Sequence, residues 1–143
     1  MSIEEDCFGM ERFSPQVVRV FIERENAFVI VGMDGTEAVC SAMAMYSDEV
    51  GEGKIASIAV LRRMRGQGVG AQLLDECENI FRKRGLRKYS LEVEVGNEPA
   101  ISLYSSKGYH AVGVINDFYG LGRHAYCMEK RVSDDKGVKL EIS

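Results

Sequence analysis

The amino-acid sequence predicts an α/β fold: a single mixed β-sheet that begins with an antiparallel N-terminal meander and carries helices on both faces. Three observations lead there. Apolar runs of strand length alternate with segments of helical spacing, so some strands must be joined by crossover helices. The 143 residues are 45% hydrophobic and 28% charged, the balance of one globular domain with a sizeable core. A glycine-rich segment, Arg65-Gly66-Gln67-Gly68-Val69-Gly70, stands between a strand-like and a helix-like stretch.

Along the chain, residues 3–25 read as helical material interrupted at Ser14-Pro15. Ser14 suits an N-cap and Pro15 a first helical position. Val17, Val18, Phe21 and Ile22 then make an i, i+4 stripe. Ala27 to Val31 is a continuous apolar strand, and Met33-Asp34-Gly35-Thr36 reads as a hairpin turn. Ala38 to Tyr46 and Lys54 to Val60 are two further strands, separated by the polar, glycine-rich loop Ser47 to Gly53. Met43 and Met45 share one strand face and are read as core. From Gly68, Val69, Leu73, Leu74, Cys77, Ile80 and Phe81 recur at helical spacing, with acidic and basic residues opposite. Gly85 ends that helix after a basic last turn. Tyr89 to Val95 alternates as a strand with one apolar face. Pro99 opens a short helix to about Lys107, and Tyr109 to Ile115 and Arg123 to Arg131 close the sheet around the loop Asn116 to Gly122. Residues 1–132 are taken as the domain, and 133–143 as a polar tail expected to be disordered.

Bulk properties exclude several function classes. The net charge of −4 argues against a dedicated nucleic-acid binder. A basic cluster nevertheless stands out: Arg62, Arg63 and Arg65, then Arg82, Lys83, Arg84, Arg87 and Lys88. It suits a small anionic ligand, or simply a solvated face. Cys7, Cys40, Cys77 and Cys127 form no C-x-x-C pair, and His110 and His124 are the only imidazoles, so no metal is expected. Cysteines in strand-like and apolar helical positions read as small buried hydrophobes of a reducing compartment. No signal peptide and no run of transmembrane length is seen, so the expected location is cytoplasmic, without a membrane partner. A monomer or homodimer is expected.

The glycine segment has chemistry of its own. Glycines let backbone N–H groups turn toward an anion without hindrance from a Cβ. The helix that follows adds unpaired N–H groups and a positive dipole end. Together they suit a pyrophosphate. The spacing is neither G-x-G-x-x-G nor a loop followed by G-K-[ST], which disfavours a nucleotide triphosphatase. A tight turn that needs glycine for shape alone is the other reading.

Ile58-Ala59-Val60 followed by Arg65-x-x-Gly68-x-Gly70 resembles the [QR]-x-x-G-x-[GA] motif of the GNAT acetyltransferase superfamily. Leu91-Glu92-Val93, Asn97, Ala100, Leu103-Tyr104 and Gly108-Tyr109 resemble its continuation in protein N-terminal acetyltransferases. The likeness is to the ribosomal-protein alanine N-acetyltransferase group and to archaeal N-terminal acetyltransferase catalytic subunits. It covers about 54–130, extending weakly to Asn116-Asp117-Phe118-Tyr119 and to Ala125 to Met128. In that superfamily a strand usually precedes the first helix. This chain begins almost inside that helix, at Ile3-Glu4-Glu5, so the first family strand is expected to be missing, or the start lies elsewhere.

The resemblance implies acetyl-CoA as co-substrate. The backbone of Ile58, Ala59 and Val60 would hold its pantetheine arm and offer an oxyanion donor. Arg65, Gly66, Gln67, Gly68, Val69, Gly70 and Ala71 would hold the pyrophosphate, and Asn97 would lie near the reacting end. Glu92 is implied as general base. An α-amine, of pKa about 7.7–8.0, suits a carboxylate base better than a lysine amine near 10.4, which favours a protein or peptide N-terminus as acceptor. Tyr104 is implied as the acid that protonates the leaving thiolate. Read without the resemblance, Glu92 and Glu94 could merely share a polar strand face, and Tyr104 could be a core tyrosine. Glu11, Phe118 and Tyr119 are candidate substrate contacts, and His124 reads as a solvated strand residue. The competing functions are acetylation of a small amine, such as a polyamine or aminoglycoside, and non-catalytic acyl-CoA binding.

Overall fold

A computed structural model gives the structure of residues 17–24 and 26–133. Strands β1 (Val17–Arg24), β2 (Ala27–Asp34), β3 (Glu37–Ser47) and β4 (Glu52–Val60) form an antiparallel meander. Helix α1 (Val69–Lys83) crosses over to β5 (Lys88–Glu94), which runs parallel to β4. Helix α2 (Glu98–Ser106) leads to β6 (His110–Ile115), and β7 (Ala125–Arg131) returns antiparallel between β5 and β6. The resulting seven-stranded sheet has the order β1-β2-β3-β4-β5-β7-β6. The predicted α/β class and the antiparallel opening of one mixed sheet are what is found.

The N-terminal reading needs correction. Residues 17–24 form a strand where a helix is predicted. Four of the eight residues of Val17–Arg24 are β-branched, and a tight connection sets them against β2, with Val17 opposite Met33. β-branched residues lose side-chain freedom in a helix and pack well on a pleated surface, so strand pairing overrides the i, i+4 spacing. Ser14, Pro15 and the residues before them lie outside the described residues, as does the tail from 134.

Among the described residues α1 and α2 lie on one side of the sheet; the helical material predicted before Pro15 falls outside them. Phe81 of α1 packs its ring on Phe28 of β2 and Tyr89 of β5. Lys107, which caps the end of α2, pairs with Asp75 of α1 at 2.9 Å. The core beneath the helices is built from Phe28, Ile30, Ala42, Leu73, Leu74, Cys77, Phe81, Tyr89 and Leu91. Gly53 permits this close approach: a Cβ there would fall 2.6 Å from the Phe81 ring. The opposite face of β3 carries Met43 and Met45, which are 50% and 46% exposed rather than core. The period-2 alternation pairs them correctly, but nothing among the described residues covers that side.

A buried carboxylate ties α1 to the far strands. Glu78, 2% exposed, accepts from the Tyr109 hydroxyl at 2.8 Å and from Lys130 Nζ of β7 at 2.8 Å. Burial and the Glu78 charge push the Tyr109 phenol well above its ordinary range.

Candidate active site

The site begins with a break in the sheet. Along β4 the ladder to β5 stops at Ile55–Leu91. At the same place the pairing of β4 with β3 shifts register, so that Met43 faces Ser57 and Ala44 faces Ile55, leaving Ala56 as a bulge. A bulge bends its strand and increases local twist. β4 and β5 therefore part beyond Ile55, and the edge of Ser57–Val60 facing β5 is left outside that ladder. Two hollows open along this split.

The first hollow, about 460 Å³, lies between the end of β4, the glycine segment and α2. Its walls include Val60, Arg65, Gly66, Gly68, Val69, Gly70 and Ala71, with Pro99, Ser102 and Ser106 opposite. Among the described residues no carboxylate lines it, and α1 has no acidic residue in its first turn. Gly66 and Gly68 have φ of 77° and 82°, the left-handed region where glycine carries no Cβ penalty. Gly68 is the N-cap and has no side chain to cap the first N–H groups of α1, an arrangement that suits an anion. Arg65 and Gln67 act within the loop. Arg65 is 8% exposed and donates from Nε to the Val60 carbonyl at 3.1 Å, while Gln67 Nε2 donates to the Arg63 carbonyl at 3.2 Å. These residues fit a bound pyrophosphate: the cradle is backbone, braced by two buried polar side chains.

The basic cluster seen in the sequence is divided by the fold. Arg82 to Lys88 lie at the far end of the 15-residue α1, roughly 20 Å from the glycine loop at helical rise. There Arg84 pairs with Asp48 and Lys88 with Glu129. Arg63, near the loop, pairs with Glu37.

The second hollow, about 230 Å³, fills the split itself. Ser57 and Ile58 of β4, Glu92 and Glu94 of β5, Asn97, Tyr104 of α2, and Tyr119 and Arg123 of the β6–β7 hairpin line it. Glu92 and Tyr104 reach it from opposite sides. Tyr89, Leu91 and Val93 are buried toward the helices, so the alternation of β5 sends Glu92 to the other face. Tyr104 enters from the helix side, 9% exposed, against the Tyr109 ring. Burial first, then the neighbouring Tyr119 and Cys77, pushes its phenol up to about 12. Asn97 caps α2, its Oδ1 accepting from the Ala100 N–H at 3.3 Å. Lys54 Nζ stands 2.7 Å from Glu92 Oε2.

The hairpin is pinned over this hollow. Arg123 donates from Nε and Nη2 to the two carboxylate oxygens of Glu94, each at 2.8 Å. Those hydrogen bonds hold the Glu94 carboxyl below its ordinary 4.5. Within the hairpin, Asp117 takes a left-handed φ of 59° and accepts from the Gly122 N–H at 2.7 Å. His124 Nδ1 accepts from the Asp117 N–H at 3.0 Å, so His124 organises the hairpin rather than lying in a strand. Phe118 and Tyr119 stack edge to face at 4.9 Å, and Tyr119 lines the split while Phe118 does not.

The fold thus gathers Ile58, Glu92, Asn97, Tyr104 and Tyr119 at one hollow, and Val60, Arg65, Gly66 and Gly68 to Ala71 at the adjoining one. Ala59 lies between them on β4, opposite Ser41. Glu11 falls outside the described residues. Sequence reasoning missed Lys54, the Glu94–Arg123 pair, and Ser102 and Ser106. Only the alternation of Lys54 with Ile55 hinted at its face, and nothing local marked its partner.

The chain is similar to several known proteins. Residues 1–109 match the acetyltransferase (GNAT) family. The chain is 29% identical to N-alpha-acetyltransferase 30 of Schizosaccharomyces pombe, over 81% of this chain and 79% of the relative. It is 33% identical to an N-alpha-acetyltransferase of Sulfurisphaera tokodaii, over 74% of this chain and 70% of the relative. The solved ribosomal-protein-S18-alanine N-acetyltransferase of Escherichia coli has the same fold, with a TM-score of 0.71 over 82% of this chain and 76% of that one at 24% identity.

Proposed function

The chain belongs to the acetyltransferase (GNAT) family and is an acetyl-CoA-dependent N-acetyltransferase, and from that premise we propose that its acceptor is the N-terminal α-amine of a protein or peptide. The observation that carries this reading is the placement of Glu92 and Tyr104 on opposite sides of one split between β4 and β5. Acetyl transfer needs a base where the amine arrives and a proton donor where the thiolate leaves, and those are opposite sides of the reacting carbon.

Acetyl-CoA, when bound, supplies the acetyl thioester. In this reading the N–H groups at the start of α1 bind its pyrophosphate in the glycine-lined hollow beside the split. The β5-facing edge of β4 at Ser57–Val60 receives the pantetheine arm and donates to the developing oxyanion. Glu92 takes the proton from the acceptor ammonium, and the Tyr104 hydroxyl donates toward the sulfur. Tyr119, held by Arg123 and Glu94, covers the acceptor side. An α-ammonium near pKa 7.7–8.0 leaves about a tenth of the amine neutral at pH 7, whereas a lysine near 10.4 leaves well under a thousandth. A carboxylate base therefore serves the α-amine far better. Both named relatives above are N-alpha-acetyltransferases, which supports the same acceptor.

The test is acceptor choice: acetylation of an N-terminal peptide library, read by mass spectrometry, against free polyamines and an aminoglycoside. The expected product is peptide acetylated at the α-amine. Turnover of the small amines with none of the peptides would overturn the reading.

A further inference from the structure

We propose that Lys54 is a resident ammonium occupying the seat of the acceptor amine, so that it competes with the incoming α-ammonium for Glu92 and sets the acceptor KM. The inference rests on the reading of Glu92 as general base. Lys54 Nζ lies 2.7 Å from Glu92 Oε2, with the two side chains 39% and 14% exposed. Lys54 stands opposite Ser90 in the parallel ladder, one residue before β4 and β5 part. Its side chain therefore shares the face of Ser90 and Glu92, away from the helices and the glycine loop. An amine that delivers its proton to Glu92 must come to that same face. Lysine ammonium and α-ammonium are the same chemical group, and one carboxylate meets them both.

The neighbouring charges do not relieve the competition. On this face Glu52 accepts from the Ser90 hydroxyl at 3.0 Å, and Lys88 pairs with Glu129 at 3.1 Å. Among the described residues, the carboxylate that Lys54 meets is Glu92. An arriving cation must displace Lys54, whose flexible four-carbon stem lets it swing to solvent. Two consequences follow. Acceptors with no positive charge at the amine gain nothing from the exchange, so the competition acts on acceptors that arrive as ammonium. Affinity for them is held below what Glu92 alone would give.

The experiment is steady-state kinetics of the full chain with an N-terminal peptide acceptor, on Lys54→Met, Lys54→Arg and Glu92→Gln. Lys54→Met keeps the apolar stem and removes the charge. It is expected to lower the acceptor KM roughly two- to fivefold, the range a partly exposed ion pair supports, with the KM for acetyl-CoA unchanged. Lys54→Arg is expected to restore the wild-type acceptor KM. If Lys54 merely fixed the Glu92 rotamer, Lys54→Met would raise the acceptor KM or lower kcat with KM unmoved, and either result overturns the proposal. Glu92→Gln separates this failure from that of the reading beneath it. Retained kcat in Glu92→Gln removes Glu92 as base and the competition with it. Lost kcat together with an unmoved KM in Lys54→Met overturns the role of Lys54 alone.

Discussion

Tyr104 shows how burial changes the role a residue can play. An isolated tyrosine near pKa 10 could pass a proton to a thiolate, whose thiol ordinarily titrates near 8.5. Burial lifts the Tyr104 phenol to about 12, so full transfer to the thiolate runs well uphill. The hydroxyl is then better suited to donating a strong hydrogen bond to the sulfur as negative charge grows there. The loss expected for Tyr104→Phe is that of one charge-assisted hydrogen bond, about 2 kcal/mol or roughly thirtyfold in kcat. The KM for acetyl-CoA should change less than twofold, because the bond strengthens only as the thiolate forms. Steady-state kinetics on the variant checks this, and an unchanged kcat would take Tyr104 out of the reaction. At this scale the sequence named the residues the split gathers, Glu92, Asn97 and Tyr104, but not the pairing of Lys54 with Glu92. One lysine in a strand carries no local mark of the carboxylate it will meet on the next strand.

At the scale of elements, a bidentate contact from Arg123 to Glu94 pins the β6–β7 hairpin to β5. Arg123→Leu should free the hairpin that presents Tyr119, raising the acceptor KM several-fold while the glycine loop keeps its grip on acetyl-CoA. The pH sign follows from the lowered Glu94 carboxyl. A depressed acid stabilises the fold above its ordinary value and loses that stabilisation as pH falls through the lowered one. The clamp is therefore complete at neutral pH and is lost as pH falls through the lowered Glu94 value. Hydrogen exchange of residues 116–124 should rise below that pH in the wild type, and be high at every pH in Arg123→Leu. Periodicity made most elements legible, including α1, β5 and α2, whose spacing and caps are local. β1 was not legible, because Val17–Arg24 satisfies both an i, i+4 and a period-2 pattern and only pairing with β2 decides. Met43 and Met45 failed differently: alternation says that two residues share a face, not which face is covered.

Across the whole molecule, the helix side of the sheet holds several tyrosines as neutral acids. Tyr89, Tyr104 and Tyr109 are all raised, burial being the first cause in each. A raised acid contributes stability that is full below its unfolded pKa, near 10, and is lost as pH climbs through the folded value. Thermal stability should therefore fall above about pH 10, and tyrosinate absorbance should grow together with unfolding. Titration of all the tyrosines near pH 10 with the fold intact would contradict this packing.

Local order determined what the sequence alone could say about this protein. The spacing of apolar residues, the glycine segment before α1 and the cap of α2 act over a few positions, so they announced an α/β sheet, an anion cradle and the acetyltransferase resemblance. Tertiary structure decided the rest. Where β4 and β5 part, which face Glu92 takes relative to Tyr104, and which cation sits on Glu92 all depend on strands brought together from distant parts of the chain. The bulge at Ala56 and the crossover through α1 create that split, and there Glu92 and Tyr104 line one hollow from opposite sides.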